Sequence, residues 1–275
     1  MPRRLRPACL LATLLLICAG CALSPPPDER LHSTLWVQTS AEYGVSTWQV
    51  YRMAANWLDA GLADPEWDAL SSGGGTPAKP PAIIVDVDDT VLDNSGHTAR
   101  MIRAREGFTV DSWRAWVREA SAPAVPGAVE YLRAAADRGI TVFYITNRHH
   151  ELEGDTRRNL VLVGCPLAAD IDVVLTRQEE PSWGREKSSR REFVAESYRV
   201  LQIVGDDLAD FVPLPARVDD EQRQRLAAEN DSRWGQYWFM VPNPMYGSWE
   251  QALMPGGGSL FNRPMEEKFE HLETK

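Results

Sequence analysis

From about residue 80 onward, short unbroken apolar runs alternate with segments whose apolar positions recur at helical spacing. The runs are Ala82-Ile83-Ile84-Val85, Ile140 to Ile145, Val173 to Leu175 and Val200 to Val204. Continuous runs of this kind predict strands buried on both faces. Between them, Ala128 to Arg138, Glu151 to Val163 and Glu186 to Ser197 predict helices. Strands alternating with helices predict a parallel sheet with right-handed crossovers, a Rossmann-like α/β core. Residues 93–125, which carry Trp113 and Trp116, break the rhythm and read as a helical insert after the first strand. Upstream, Ser33 to about Ala60 is rich in Trp, Tyr, Val and Ala, has no Pro, and predicts a further helix. The stretch SSGGGTPAKPP (71–81) reads as a linker, and the mixed charges of Arg223 to Arg233 as a solvated helix face. No internal repeat is visible.

The amino terminus has a different character. Arg3, Arg4 and Arg6 precede an apolar segment from Ala8 to Ala19. That segment is shorter than the roughly 20 residues a spanning helix needs, so it reads as a secretory signal. Ile17-Cys18-Ala19-Gly20-Cys21 resembles a bacterial lipobox, with Cys18 where Leu is usual. The resemblance implies lipidation of Cys21 and, because Ala22 rather than Asp follows, anchoring to the outer membrane. The alternative is a plain signal peptide and a soluble periplasmic product. Residues 1–20 therefore read as the signal peptide and 21–32, with Pro25-Pro26-Pro27, as a tether. Residues 33–275 read as the folded part. Its α/β core spans about 78–212, with the insert at about 93–125. A smaller helical cap is drawn from 33–70 and the tail 213–275.

Composition adds two constraints. The chain has 275 residues, 44% hydrophobic and 25% charged, an ordinary globular balance. The formal charge is −10, and losing the three arginines of the first 20 residues makes it −13. An acidic chain of this kind is a poor partner for a nucleic-acid polymer, which needs clustered Lys and Arg. It does not exclude a small phosphate ester, which needs only a few local donors or a metal. The four cysteines are Cys9, Cys18, Cys21 and Cys165. Cleavage removes two and lipidation occupies Cys21, so Cys165 has no disulfide partner. Lying after an apolar run and before Pro166, it reads as a buried thiol rather than a nucleophile.

Ligands of open α/β sheets gather at the carboxyl ends of the strands. The polar residues at those ends are Asp86-Val87-Asp88-Asp89-Thr90, Thr146-Asn147-Arg148 and Gly205-Asp206-Asp207-Leu208-Ala209-Asp210, with Lys187 between the last two. So many carboxylates repel one another, and a hard divalent cation such as Mg²⁺ would relieve the repulsion. A Thr hydroxyl and a Lys could hold phosphate oxygens. One carboxylate could attack phosphorus, and a second, two residues on, could protonate the leaving oxygen and then activate water.

Asp86-x-Asp88-x-Thr90, Thr146, Lys187 and Gly205-Asp206-Asp207, in that order, resemble the phosphatase branch of the haloacid dehalogenase superfamily. IIVDVDDTVLDN (83–94) and IVGDDLADF (203–211) resemble the two signatures of the class C acid phosphatases, bacterial lipoproteins of which some act as 5′-nucleotidases. WVQTSAEYGVSTWQVYRMA (36–54), TNRHHELEGDTRRNL (146–160) and PNPMYGSWE (242–250) are similar to further blocks of that family. The resemblance covers nearly all of the chain after the signal. It implies a Mg²⁺-dependent acid phosphomonoesterase, acting on 5′-nucleotides and aryl phosphates through an aspartyl-phosphate. Asp86 is then the nucleophile and a metal ligand. Asp88 is the acid/base, lending the metal its backbone carbonyl. Thr146 and Lys187 hold phosphate, Asp206 binds the metal directly, and Asp210 supports it. Asp207 stands where Asn is common and Asp89 where Glu is usual, and both changes could move the pH optimum. Trp113 and Tyr246 match positions that stack an aromatic group, with Trp116 a close competitor. The resemblance also implies a homodimer.

Blander readings stand beside these. Asp86, Asp88 and Thr146 alone could be turn or capping residues, and Lys187 alone a surface Lys in the basic run to Arg191. His149-His150-Glu151 suggests zinc, but HExxH fails because Gly154 occupies the second His position. Two rival functions remain. One is a lipoprotein that mainly binds a nucleotide or other aromatic ligand with little catalysis. The other is a phosphatase of sugar phosphates or phosphoproteins.

Overall fold

The apolar runs become the middle of a single sheet. In the computed structural model, β1 (Pro81–Val85), β2 (Thr141–His149), β3 (Val174–Arg177), β4 (Arg199–Gly205) and β5 (Trp238–Met240) pair in parallel in the order β3-β2-β1-β4-β5. The structure describes residues 28–70, 79–215, 218–253 and 264–274. The signal segment, Cys21 and the Pro-rich part of the tether lie outside the described residues, as does most of the 71–81 linker. β1 is central, with Ile84 opposite Phe143 of β2 and Ile203 of β4, and every residue of β4 is buried. Burial on both faces is why these strands read as continuous apolar runs.

Helices flank the sheet: α1 (Arg30–Thr39), α2 (Ala41–Ala63), α3 (Ser95–Ala104), α4 (Val110–Glu119), α5 (Ala128–Ala136), α6 (Glu153–Val163), α7 (Ser188–Ser197), α8 (Asp220–Glu229), α9 (Ser248–Ala252) and α10 (Met265–Phe269). This is the α/β class expected from the sequence. The single helix expected over Ser33 to Ala60 is instead two. Ser40 adopts an extended backbone, and its hydroxyl accepts the Tyr43 N–H, starting α2 afresh. The 93–125 insert is also two helices, α3 ending at Arg105 in the left-handed region. β2 runs on to His149, because its end pairs again with Arg177 of β3 after an irregularity. Thr146, Asn147 and Arg148 therefore lie on the strand rather than beyond it. β5 was not expected; three residues are too few for a periodic signal. α8 buries no residue, as its mixed charges require.

Tyr51, Ala54 and Leu58 of α2 pack in the main core with the strands. A smaller cluster joins Val37, Tyr43 and Met245, with Trp36 against it. Gln202 sits in the middle of β4 with no exposure. Its amide is satisfied on both sides: Tyr131 donates to Oε1 at 2.6 Å, and Nε2 donates to the Ala54 carbonyl at 2.9 Å. This pair of bonds fixes α2 and α5 against the sheet. Cys165 is buried and unpaired, and burial pushes its thiol up to about 12, so it is held in the inert thiol form.

Chain order reverses at β1. The chain steps outward from β1 to β2 and β3, then returns to the other side of β1 for β4 and β5. The crevice at such a reversal opens at the strands' carboxyl ends, between β1 and β4.

Gly127 begins α5 at φ +91°, and a Cβ there would lie 2.9 Å from Trp48 and 3.2 Å from Tyr51. Gly127→Ala is expected to lower unfolding stability by roughly 1–3 kcal/mol, read from urea denaturation. An unchanged midpoint would show that α2 can move away from α5.

Candidate active site

Asp86 follows the last residue of β1, and its N–H donates to the Val204 carbonyl of β4 at 2.9 Å. The side chain is thereby fixed at the reversal of the sheet. Gly205 ends β4, and a Cβ on it would lie 2.3 Å from Asp210 Oδ2. The glycine is what allows Asp210 to fold back over the strand end. Oxygens of Asp86, Asp206 and Asp210 all lie within 4.8 Å of one another. Asp206 is held from two sides: Thr90 donates to it at 3.0 Å and Asn243 at 2.7 Å.

Lys187 immediately precedes α7 and is almost fully buried. Its ammonium donates to Asp86 Oδ1 and, at 2.6 Å, to Asp210 Oδ1. The rest of the basic run also turns inward. Arg190 donates to the Thr146 carbonyl and, at 2.9 Å, to Asn147 Oδ1. Arg191 donates to the Asp210 carbonyl at 2.8 Å. The run that alone would read as a surface patch thus laces the ends of β2 and β4 together.

The electrostatics follow from crowding. Burial, then the charges of Asp210 and Asp88, push Asp86 up to about 7 against the opposing pull of Lys187. Burial and the charges of Asp86, Asp210 and Asp89 push Asp206 well above the ordinary carboxylate range. Desolvation and like charge both disfavour the ionised forms. Three converging carboxylates with one ammonium among them form a hard-oxygen donor set that fits a divalent cation. Neither perturbed group could be understood as an ordinary surface acid.

Asp88 points elsewhere. Its Oδ1 accepts from Arg148 Nε and Nη2 at 2.9 and 2.8 Å and from Asn94 Nδ2 at 2.9 Å, and its Oδ2 from the Thr146 hydroxyl at 3.3 Å. Its side chain is not among the carboxylates that meet in that cluster. Asp89 is buried with φ +58°, and its carboxylate accepts from the Tyr246 hydroxyl and the Asn94 N–H. Trp113 lies half-buried under the Arg148 guanidinium, 5.5 Å from ring centroid to Cζ. Each of the two sequence-selected aromatic rings is thus tied to one carboxylate of the Asp88–Asp89 turn, Trp113 through Arg148 and Tyr246 directly. Trp116, the competitor, is buried with its indole N–H on Asn94 Oδ1 at 2.8 Å, a packing role.

Asp207 caps the turn, accepting from the Ala209 N–H, the Ser248 N–H and the Ser248 hydroxyl. A side chain already accepting three donors is turned toward its own loop and α9. His150 approaches Glu153 and Glu179 within 4.8 Å, so one of the two histidines does meet acids, though not in the HExxH spacing. The roles of Asn94, Arg148 and Asn243 were not assigned from sequence. Arg148 stands two residues after Thr146 on the same strand, and this spacing is the one local signal that could have marked it.

A parallel sheet reversing at β1, with acids at the ends of β1 and β4 and a buried Lys before the intervening helix, defines a phosphatase of the haloacid dehalogenase type. The chain belongs to the HAD superfamily, subfamily IIIB (Acid phosphatase), whose family model matches residues 28–249. Its fold is similar to that of the class C acid phosphatase from Bacillus anthracis, at 30% identity and a TM-score of 0.77, over 90% of this chain and 98% of that one. The structure of that enzyme with tungstate bound matches at 30% identity and a TM-score of 0.77, over 91% and 99%. The chain is accordingly an enzyme, an acid phosphatase acting on a phosphomonoester.

Asp86 and Asp89 are each raised from 3.8 to about 7. A carboxylate raised on folding adds stability below its unfolded value, and that stability is lost as pH rises through its folded value. Without added metal, the unfolding temperature should therefore fall between about pH 4 and pH 7 on their account. Asp89→Asn should make the fall shallower, and a divalent cation should raise the unfolding temperature more at the upper end. A profile identical in Asp89→Asn and wild type would contradict this assignment.

Proposed function

We propose that this phosphatase is a Mg²⁺-dependent acid phosphomonoesterase that hydrolyses 5′-nucleotides and aryl phosphates through an aspartyl-phosphate on Asp86. The observation that carries this reading is the meeting of Asp86, Asp206 and Asp210 with the Lys187 ammonium at the reversal of the sheet. Asp86, Asp206 and the Asp88 carbonyl would hold the Mg²⁺, with Asp210 in support. When bound, Mg²⁺ would favour the ionised acids and draw charge from the phosphoryl oxygens.

The chain's own groups then divide the work. An Asp86 oxygen bonds phosphorus as the bond to the leaving oxygen breaks. Asp88 gives that oxygen a proton. Water then attacks phosphorus, Asp88 takes its proton, and phosphate departs with Asp86 regenerated. Thr146 and Lys187 hold the non-reacting phosphoryl oxygens. Lys187 already spans Asp86 and Asp210, so phosphate binding exchanges a carboxylate partner for a phosphate one. Trp113 and Tyr246 would flank a base or aryl ring, a fit that disfavours small sugar phosphates.

The remaining parts of the reading come from the amino terminus and the family. Cys21 would carry the lipid and hold the enzyme at the outer membrane, and two copies would pair as a homodimer. Among the described residues no helix is long and apolar enough to cross a membrane. The helices outside the core would act as a cap over the site.

The test is an assay of purified residues 22–275 at acid pH, with and without Mg²⁺, on an aryl phosphate and a panel of 5′-nucleotides. Phosphate release should require the metal and fall at least about a thousand-fold in Asp86→Asn. Tight nucleotide binding with no release by the metal-loaded protein would favour the binding-protein rival instead.

A further inference from the structure

Only two arginines are among the largest fully buried side chains of the described residues, Arg148 and Arg190. Arg190 is spent on the chain itself, on the Thr146 carbonyl, Asn147 and the Gly184 carbonyl. Arg148 is aimed at a functional carboxylate. Burying a guanidinium is costly unless its donors are paired, and those of Arg148 are paired directionally. Nε and Nη2 converge on the same oxygen of Asp88, while Nη1 donates to Thr156 Oγ1 at 3.2 Å and so anchors the group to α6.

The consequence is an asymmetry within the Asp88 carboxylate. Oδ1 receives three donors, two from Arg148 and one from Asn94, all at 2.8–2.9 Å. Oδ2 receives a single long bond of 3.3 Å from the Thr146 hydroxyl. An oxygen saturated with donors has no lone pair left for a proton. The guanidinium also lies over Trp113, so the group that grips Asp88 is in contact with the ring assigned to hold the substrate.

We propose that Arg148 is a positioning residue for proton transfer. It locks Asp88 through Oδ1, leaves Oδ2 as the oxygen that gives and takes the proton, and ties that carboxylate to Trp113. The proposal rests on the reading of Asp88 as the acid/base.

The experiment compares kcat/KM for two esters in the Mg²⁺-loaded enzyme. A nitrophenolate leaves without a proton, whereas the 5′-alkoxide of a nucleotide needs one. kcat/KM reports the steps through leaving-group departure, so the later role of Asp88 as a base does not enter. Arg148→Met should lower kcat/KM about 100-fold on the nucleotide and less than about 3-fold on the nitrophenyl ester. Asp88→Asn should show the same pattern. The double variant should lose no more than Asp88→Asn alone, because the two residues act as a unit. Arg148→Lys keeps the charge and the stem but not the fork, and should fall between wild type and Arg148→Met. It also serves if the Met variant does not fold.

A merely structural role predicts equal losses on both esters, or additive losses in the double variant, and either result overturns the proposal. If Asp88→Asn discriminates between the esters and both Arg148 variants do not, only the positioning role falls. If Asp88→Asn itself does not discriminate, the acid/base reading falls and this proposal with it.

Discussion

The Lys187 ammonium sits between two buried carboxylates, Asp86 and Asp210, and the rest of the site depends on that contact. Without a cation there, the ends of β1 and β4 would bring unscreened negative charges together in a poorly hydrated crevice. The sheet topology creates the problem, because β1 and β4 are adjacent and both end in acids. The helix entering after β3 solves part of it by delivering Lys187 at its start. Burial, together with the charge left over by one ammonium among three carboxylates, displaces Asp86 and Asp206 upward. Such a cluster of buried carboxylates beside an ammonium offers hard oxygen donors to a divalent cation and a cationic donor to an anion.

Around this centre each support has a separate physical task. Gly205 admits Asp210 where any side chain would collide with it. Thr90 and Asn243 orient Asp206. Arg190 and Arg191 satisfy carbonyls at the strand ends, so the basic run acts as internal scaffolding rather than as a charged surface. Asp207, despite its place beside Asp206, belongs to the capping of a turn and of α9. Adjacent carboxylates therefore divide into those facing the crevice and those turned to a cap, and the division is made by hydrogen bonds, some of them long-range. Trp113 and Tyr246 extend the same logic outward, each coupled to one acid of the turn that follows β1.

Much of this was legible in the sequence because burial on both faces leaves an unmistakable mark. The runs at 82–85 and 200–204 located the central strands, and the acids following each were then placed at one edge by topology alone. Asp86, Asp206, Asp210 and Lys187 do come together as that placement requires. What the sequence could not show was direction. Whether Asp207 faces the crevice or its own turn depends on a contact with Ser248, about forty residues on, and no local pattern encodes it. The same holds for Arg148, whose guanidinium is held between Asp88 of the turn after β1 and Thr156 of α6. β5 escaped notice because three apolar residues carry no periodicity, and the break at Ser40 because one capping hydroxyl outweighs a helical composition on either side. Side-chain orientation at long range was the missing information, not residue type.

The proposed mechanism requires that Asp86 itself become phosphorylated. The direct test is to stop a single turnover of the Mg²⁺-loaded enzyme with borohydride, which reduces an acyl phosphate but not a free carboxylate, and to read the peptide around β1 by mass spectrometry. Homoserine is expected in place of Asp86 in the presence of substrate, and none in its absence. An unmodified Asp86 under conditions of active turnover, with the reduction product on another residue, would contradict it.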